Sequence, residues 1–148
     1  MNVMERQERL NILHGVEHVH FVGIGGSGMS PLAEILHSRG FAITGSDVNE
    51  SDNLERMRSL GIPVSLTQRR ENIGGAQLVV YTSAVNPQNP ELVEAEERGI
   101  PTIERGRLLG LITHEFADTV GVAGTHGKTT TSSMLAQILL MSAFDPTV

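Results

Sequence analysis

The sequence predicts an α/β protein: a Rossmann-like open, mostly parallel sheet with helices on both faces, followed by the first strand, P-loop and helix of a second domain. Three observations predict it. From His18 onward, short apolar runs rich in β-branched residues alternate with helical periodicity, the pattern of parallel strands covered on both faces. Two glycine-rich turns each fall between such a run and a helical pattern, which is where α/β proteins hold phosphate. With four Phe, one Tyr and no Trp, a chain that is 39% hydrophobic must build its core from aliphatic side chains.

The elements follow in order. "VHFVGI" reads as the first strand, and Met29, Leu32, Ala33 and Leu36 then recur at i, i+3, i+4 and i+7, an amphipathic helix stopped at Gly40. Pro31 in its first turn is tolerated there. "FAITGS" is the second strand; Leu54, Met57 and Leu60 mark a shorter helix before Gly61; "IPVSL" and "QLVVYTS" are further strands. Asn89-Pro90-Glu91 supplies an N-cap, a proline at the first helical position and an acid in the first turn, opening a helix that ends near Gly99. "PTIE" is a strand, Leu108, Leu109 and Ile112 mark a helix, and "DTVGVAG" is the last apolar run. Repeated strand–helix–strand units give right-handed crossovers in one sheet. The polar stretch 114–118 is the best domain boundary, which divides the chain into an extension (1–17), a sheet domain (18–117) and the start of a second domain (118–148).

Composition narrows the function. A net charge of −6 without a long basic run argues against nucleic acid as the main partner. The chain has no cysteine, so disulfides and thiolate–metal sites are excluded. The N-terminal "MNVMERQERLNILHG" lacks the apolar core of a secretory signal, and no run approaches the ~18 apolar residues of a membrane span. These features predict a soluble, cytoplasmic protein with no membrane insertion.

In "VHFVGIGGSGMS", Gly23, Gly25 and Gly28 form a Gly-x-Gly-x-x-Gly directly after a strand and before a helix. Glycines let the backbone turn tightly and approach a pyrophosphate, whose charge is met by amides at the helix N-terminus. Asp47 closes the second strand, where an acid accepts hydrogen bonds from ribose hydroxyls; its bland alternative is a turn or capping residue. A second bland alternative is that the glycines only permit tight strand–helix packing. The residues point to a nucleoside diphosphate moiety and leave NAD and a UDP-sugar both open.

"GVAGTHGKTTT" also sits between an apolar run and a helix, whose Met134, Leu135, Ile138 and Leu139 share one face. The strict P-loop expression fails because Val122 stands where a glycine is required. The mechanical parts remain: Gly124 and Gly127 free the loop, Lys128 can reach β/γ-phosphates, and Thr129 offers a hydroxyl to Mg²⁺. His126 is read as a backbone contributor with a solvent-facing ring. The acids Glu91, Glu94, Glu96 and Glu97 are read as the solvated face of a surface helix rather than a metal site, and His18 and His20 as structural or edge residues. The apolar face after Lys128 points to self-association.

Together the two loops resemble the N-terminal part of the Mur ligases, ATP-dependent enzymes that build the peptidoglycan stem peptide. The resemblance runs from about His18 to Val148 and is carried by "HFVGIGGSGMS", "GSD", "RREN", "TSAVNPQNPE", "IPTIERGRLL" and "AGTHGKTTT". The GIGGSGM form favours the alanine-adding branch over the branch that recycles murein tripeptide.

The resemblance implies a Rossmann-like domain that binds the UDP part of UDP-N-acetylmuramate, ahead of a central domain that carries ATP and Mg²⁺. It implies that the substrate carboxylate attacks the γ-phosphate to give an acyl phosphate, which the amine of L-alanine then displaces. Carried over by position, Gly25, Gly26, Ser27, Gly28 and Met29 present amides to the UDP diphosphate. Asp47 sits at the uridine end, Thr82, Ser83 and Ala84 line the sheet's C-terminal edge, and Arg69 reaches a phosphate or is a solvated surface cation. Gly124, Thr125, His126, Gly127, Lys128, Thr129 and Thr130 match the ATP loop, with Lys128 catalytic and Thr129 the Mg²⁺ ligand. Gln68 departs from the histidine that relatives often carry there. The expectation is a chain that binds UDP ligands without itself ligating alanine. Other classes weighed are a stand-alone NAD- or UDP-sugar-binding module and an NAD-dependent oxidoreductase; the latter needs an acid–base pair that the sequence does not offer.

Overall fold

The computed structural model describes residues 11–142 and 145–147, which fall into two compact units divided between Glu115 and Phe116. The first unit is built on five strands: β1 (His18–Val22), β2 (Ala42–Ser46), β3 (Val64–Ser65), β4 (Leu78–Tyr81) and β5 (Thr102–Glu104). Its helices are α1 (Ser30–Ser38), α2 (Asp52–Ser59), α3 (Pro90–Glu97) and α4 (Arg105–Thr113), with 3₁₀ turns at Asn11–Leu13 and Arg70–Ile73. The strands form one parallel sheet in the order β3-β2-β1-β4-β5. In register, His18 pairs with Ala42 and Val22 with Ser46 across β1 and β2, while Val19 pairs with Leu78 across β1 and β4. The chain first winds one way from β1 and then returns to wind the other, so β1 and β4 flank a topological switch point.

The two sheet faces differ in chemistry. On one, Val19, Phe21, Ile24 and Ile43 pack with Leu32, Ala33 and Leu36 of α1, Leu54 and Met57 of α2, and Leu108 and Ile112 of α4. That face is mainly aliphatic, with Met29, Met57, Phe21 and the partly buried Phe41 added, the core the composition requires. Close packing there depends on Gly45, where a Cβ would come within 2.6 Å of the Ile24 side chain.

The opposite face, under α3 and the 70–73 turn, has a small apolar cluster of Val22, Ile73, Ala76, Val79 and Ala95. Beside it lies a buried polar cluster. The Thr44 hydroxyl sits 2.8 Å from Nδ1 of His20 and 2.9 Å from Nε2 of His18. Glu91 is 0% exposed and accepts from Ser46 Oγ at 2.6 Å and Asn72 Nδ2 at 2.6 Å. His20 Nε2 is 3.4 Å from Glu91 Oε1, is buried, and makes no hydrogen bond among the described residues.

This corrects the reading of Glu91 as part of a solvated acidic face. Glu96 and Glu97 do face solvent, Glu97 paired with Arg70, and Glu94 is largely covered between Arg70 and Arg98, whereas Glu91 shares the inward side of α3 with Ala95, one turn on. His20 is structural, as expected, and sits in the central strand rather than at an edge.

In the second unit the regular element is α5 (Lys128–Leu140). The expected strand over "DTVGVAG" is not formed: residues 119–124 are irregular. A β-strand is held by its ladder to a neighbour, and among the described residues of this unit there is none. None of the helix's residues is buried, and Met134, Ile138 and Leu140 are largely exposed.

Candidate functional site

The first glycine loop follows β1 at the C-terminal end of the sheet, where open α/β sheets place ligands. Each glycine answers a different demand. Gly23 has φ +80, a left-handed conformation that turns the chain out of β1. Gly25 lies so close to β2 that a Cβ would be 2.9 Å from Asp47 Oδ2. At Gly28 a Cβ would lie 3.2 Å from Cδ and Nη1 of Arg105.

The loop is held from several sides. Amides of Gly23 and Ile24 donate to Ser46 O at 2.8 and 3.0 Å, and Ser30 Oγ donates to the carbonyls of Ile24 and Gly26 at 3.0 Å. Asn53 Nδ2 donates to Gly25 O at 2.8 Å. Of the five residues expected to present amides, Gly25 donates to Asp47 Oδ2 at 2.9 Å, Gly26 to Gly23 O at 3.1 Å and Met29 to Gly26 O at 2.8 Å. The amides of Ser27 and Gly28 have no acceptor among the described residues. They stand just ahead of α1, whose N-cap residue Met29 makes no side-chain cap bond. Met29 itself is buried in the core, 1% exposed.

Asp47 is placed at the end of β2 and already serves backbone: Oδ2 accepts from Gly25, and Oδ1 from Val48 and Asn49 at 2.8 and 3.3 Å. Its capping role is therefore real, and Oδ2, with one bond, keeps a further lone pair for a ligand hydroxyl. Thr82, Ser83 and Ala84 follow β4 in a tight turn, with Val85 N donating to Thr82 O at 3.0 Å and Ala84 N to Thr82 Oγ1 at 3.3 Å. Ser83 and Ala84 are exposed there. Arg69 is exposed beside the 70–73 turn. Gln68 accepts from Asn89 Nδ2 at 2.7 Å, so the departure from histidine is absorbed by the cap residue of α3.

Sequence reasoning missed two features. The first is the Glu91 cluster, which ties Ser46, next to Asp47, to Asn72 of the 70–73 turn. Its signal was alternation: His18, His20, Thr44 and Ser46 all fall on one sheet face, and a polar face needs a polar partner above it. The second is Arg105 against Gly28.

The second glycine loop is described on its own. Gly127 has φ +76 and forms the left-handed N-cap of α5, with no side-chain cap. Lys128 Nζ folds back to donate to Gly124 O at 2.6 Å, and Thr131 N donates to Gly127 O at 2.9 Å. Gly124, Thr125, His126, Gly127, Lys128, Thr129 and Thr130 are all exposed. An uncapped helix start carrying a lysine and a hydroxyl is a donor set that suits a phosphate with its Mg²⁺. Among the described residues no group of three or more His, Cys, Asp or Glu is arranged to hold a metal, and no helix is long and apolar enough to cross a membrane.

Comparison with known proteins gives this geometry its relatives. The UDP-N-acetylmuramate–L-alanine ligase of Acetivibrio thermocellus is 50% identical over 143 residues, 95% of this chain and 30% of the relative. The enzyme of the same name from a Sulfurihydrogenibium strain is 49% identical over 133 residues, 90% of this chain and 29% of its own. The chain thus spans less than a third of these relatives' length. Among solved structures, UDP-N-acetylmuramate-alanine ligase from Thermotoga maritima superposes with a TM-score of 0.80 at 37% identity, over 83% of this chain and 29% of that one. A murein peptide ligase from Psychrobacter arcticus gives 0.78 at 29% identity, over 85% and 26%. The profile described as "Mur ligase family, catalytic domain" matches residues 18–117, the whole parallel sheet with its first glycine loop. On that match the chain belongs to the Mur ligase family.

Proposed function

We propose that the chain supplies the UDP-N-acetylmuramate-binding part, and the ATP loop, of a cytoplasmic ligase that joins L-alanine to that nucleotide sugar in peptidoglycan synthesis. In this reading residues 18–117 are the substrate-binding domain, 1–17 precede it, and 118–148 open the ATP-binding domain. The observation that carries it is the pair of unmatched amides of Ser27 and Gly28, at the switch point of a sheet that resembles the alanine ligases. The relatives at about 50% identity are alanine ligases, and among solved structures the alanine ligase at 37% identity exceeds the murein peptide ligases at 29 and 32%, which favours this member over the tripeptide-recycling one.

The chain's own residues divide the work. Amides of the first loop receive the diphosphate, and Asp47 accepts from the uridine end. Thr82, Ser83 and Ala84 line the exit of β4, with Arg69 near by in sequence to Asn72 as a second cation. At the second loop, Lys128 leaves Gly124 O to meet a β/γ-phosphate, and Thr129 holds the cation through its hydroxyl. ATP with Mg²⁺ supplies the phosphoryl group that activates the substrate carboxylate, with its charge neutralised.

A thermal-shift series with UDP-N-acetylmuramate, UDP, NADH and ATP–Mg²⁺ tests this. A ligand at ~100 times its Kd adds about 2.7 kcal/mol of stability. The expected result is a clear rise with both UDP compounds, abolished by Gly28→Trp and kept by Lys128→Ala. A rise with NADH and none with the UDP compounds overturns the assignment.

A further inference from the structure

We propose that Arg105 is a direct ligand-contacting residue of the first glycine loop: its guanidinium completes, with the amides of Ser27 and Gly28, a cradle for the ligand's diphosphate. The proposal rests on the reading of that loop as a nucleotide site.

Four observations converge on it. The first is position. Arg105 opens α4 at the C-terminal end of β5, and its side chain lies over Gly28, with Nη1 and Cζ 3.2 and 3.4 Å from where a Cβ would stand. The second is the lack of any partner. Arg39, Arg56, Arg58, Arg70 and Arg98 are each paired with a glutamate. Arg105 makes no hydrogen bond or ion pair among the described residues. Arg69 and Arg107 are also unpaired there but are exposed, whereas Arg105 is half-buried. A partly desolvated cation without a counter-charge is costly.

The third observation is its place on the helix. The first residue of α4 meets the positive end of the helix dipole, where a cation is disfavoured and an acid stabilises. Nothing about the folding of α4 calls for arginine there. The fourth is that the neighbouring groups left without a partner are all donors. The Ser27 and Gly28 amides and the guanidinium offer hydrogens and positive charge, and no acceptor among the described residues takes them. An anion with several oxygens satisfies all three at once, and a planar guanidinium meets two of those oxygens side by side. The glycine at position 28 then leaves room for this approach: a Cβ there would crowd the Arg105 side chain at 3.2 Å.

The test is calorimetric titration of the 148-residue chain and its R105A and R105K variants with UDP, uridine and inorganic pyrophosphate. Unliganded R105A should melt within about a degree or two of the parent temperature, since the arginine makes no hydrogen bond or ion pair among the described residues. R105A should bind UDP and pyrophosphate at least about tenfold more weakly, as expected for loss of a charge-assisted contact. Its uridine affinity should not change, and R105K should recover part of the loss. Unchanged UDP affinity in R105A overturns the proposal while leaving the nucleotide reading intact. A fall in uridine affinity equal to that for UDP, or a melting temperature several degrees lower, makes Arg105 structural and also overturns it. If the parent chain binds pyrophosphate and no UDP compound, the cradle stands and the nucleoside reading fails. If it binds none of the three, both fall.

Discussion

At the residue scale the molecule turns on one buried acid. Glu91 accepts hydrogen bonds from Ser46 and Asn72, faces His20 Nε2, and is fully enclosed. Removing its carboxylate leaves the Ser46 hydroxyl and the Asn72 amide without their acceptor, and each unsatisfied buried group is costly. Glu91→Ala should therefore cost about 2–5 kcal/mol, from about 1–3 kcal/mol for each of the two donors left unsatisfied, as read by denaturant unfolding. A loss below about 1 kcal/mol would mean that the cluster relaxes or is hydrated. The composition of α3 gave no warning of this, because four acids on one short helix look alike in a string. Only the helical phase relative to Ala95, set against the polar stripe on β1 and β2, distinguishes the one that turns inward.

At the element scale, the capped and periodic segments were legible and the pairing of their surfaces was not. Asn89 accepts from Glu91 N at 2.9 Å and Pro90 opens α3, as the local sequence dictates. That the outer side of the same helix would clasp Arg70 from a distant turn depends on three-dimensional packing. There the Glu97 carboxyl, hydrogen-bonded by the Arg70 guanidinium and helped by its charge, is held below the ordinary carboxylate value. A group with a lowered folded-state pKa contributes stability above its unfolded pKa and loses it as pH falls through the folded value. The parent chain should thus exceed Glu97→Gln slightly in melting temperature at neutral pH. That difference should vanish as pH falls through and below the carboxylate range. High salt should shrink it too, since both groups are exposed. A difference that persists at low pH would place the effect elsewhere.

At the scale of the whole molecule, the alternation of runs and helices was enough to foresee a parallel sheet with covered faces. The strand order and the switch point between β1 and β4 came from the structure. The expected strand before the second glycine loop failed because an apolar run specifies a strand only when another strand lies beside it. The first loop was readable because its glycines do local geometric work; the arginine above it was not, since residue 105 is far from residue 28 along the chain. The two units should also differ in local stability. β1 and β4 are buried through most of their length, whereas α5 buries no residue among those described, and a helix of about its length is marginal without packing. Hydrogen exchange should show amides of Val19–Phe21 and Val79–Val80 protected close to the global limit, and those of α5 exchanging by local opening. Equal protection in both would refute this difference.

The clasp between Asp47 and Gly25 has a consequence for how a ligand is met. Because the carboxylate already fixes the turn, a nucleotide held there as proposed would cost the loop little freedom, and little of the attraction would be spent on ordering it. Association should then be governed by encounter and by shedding water, with no slow rearrangement before the complex closes.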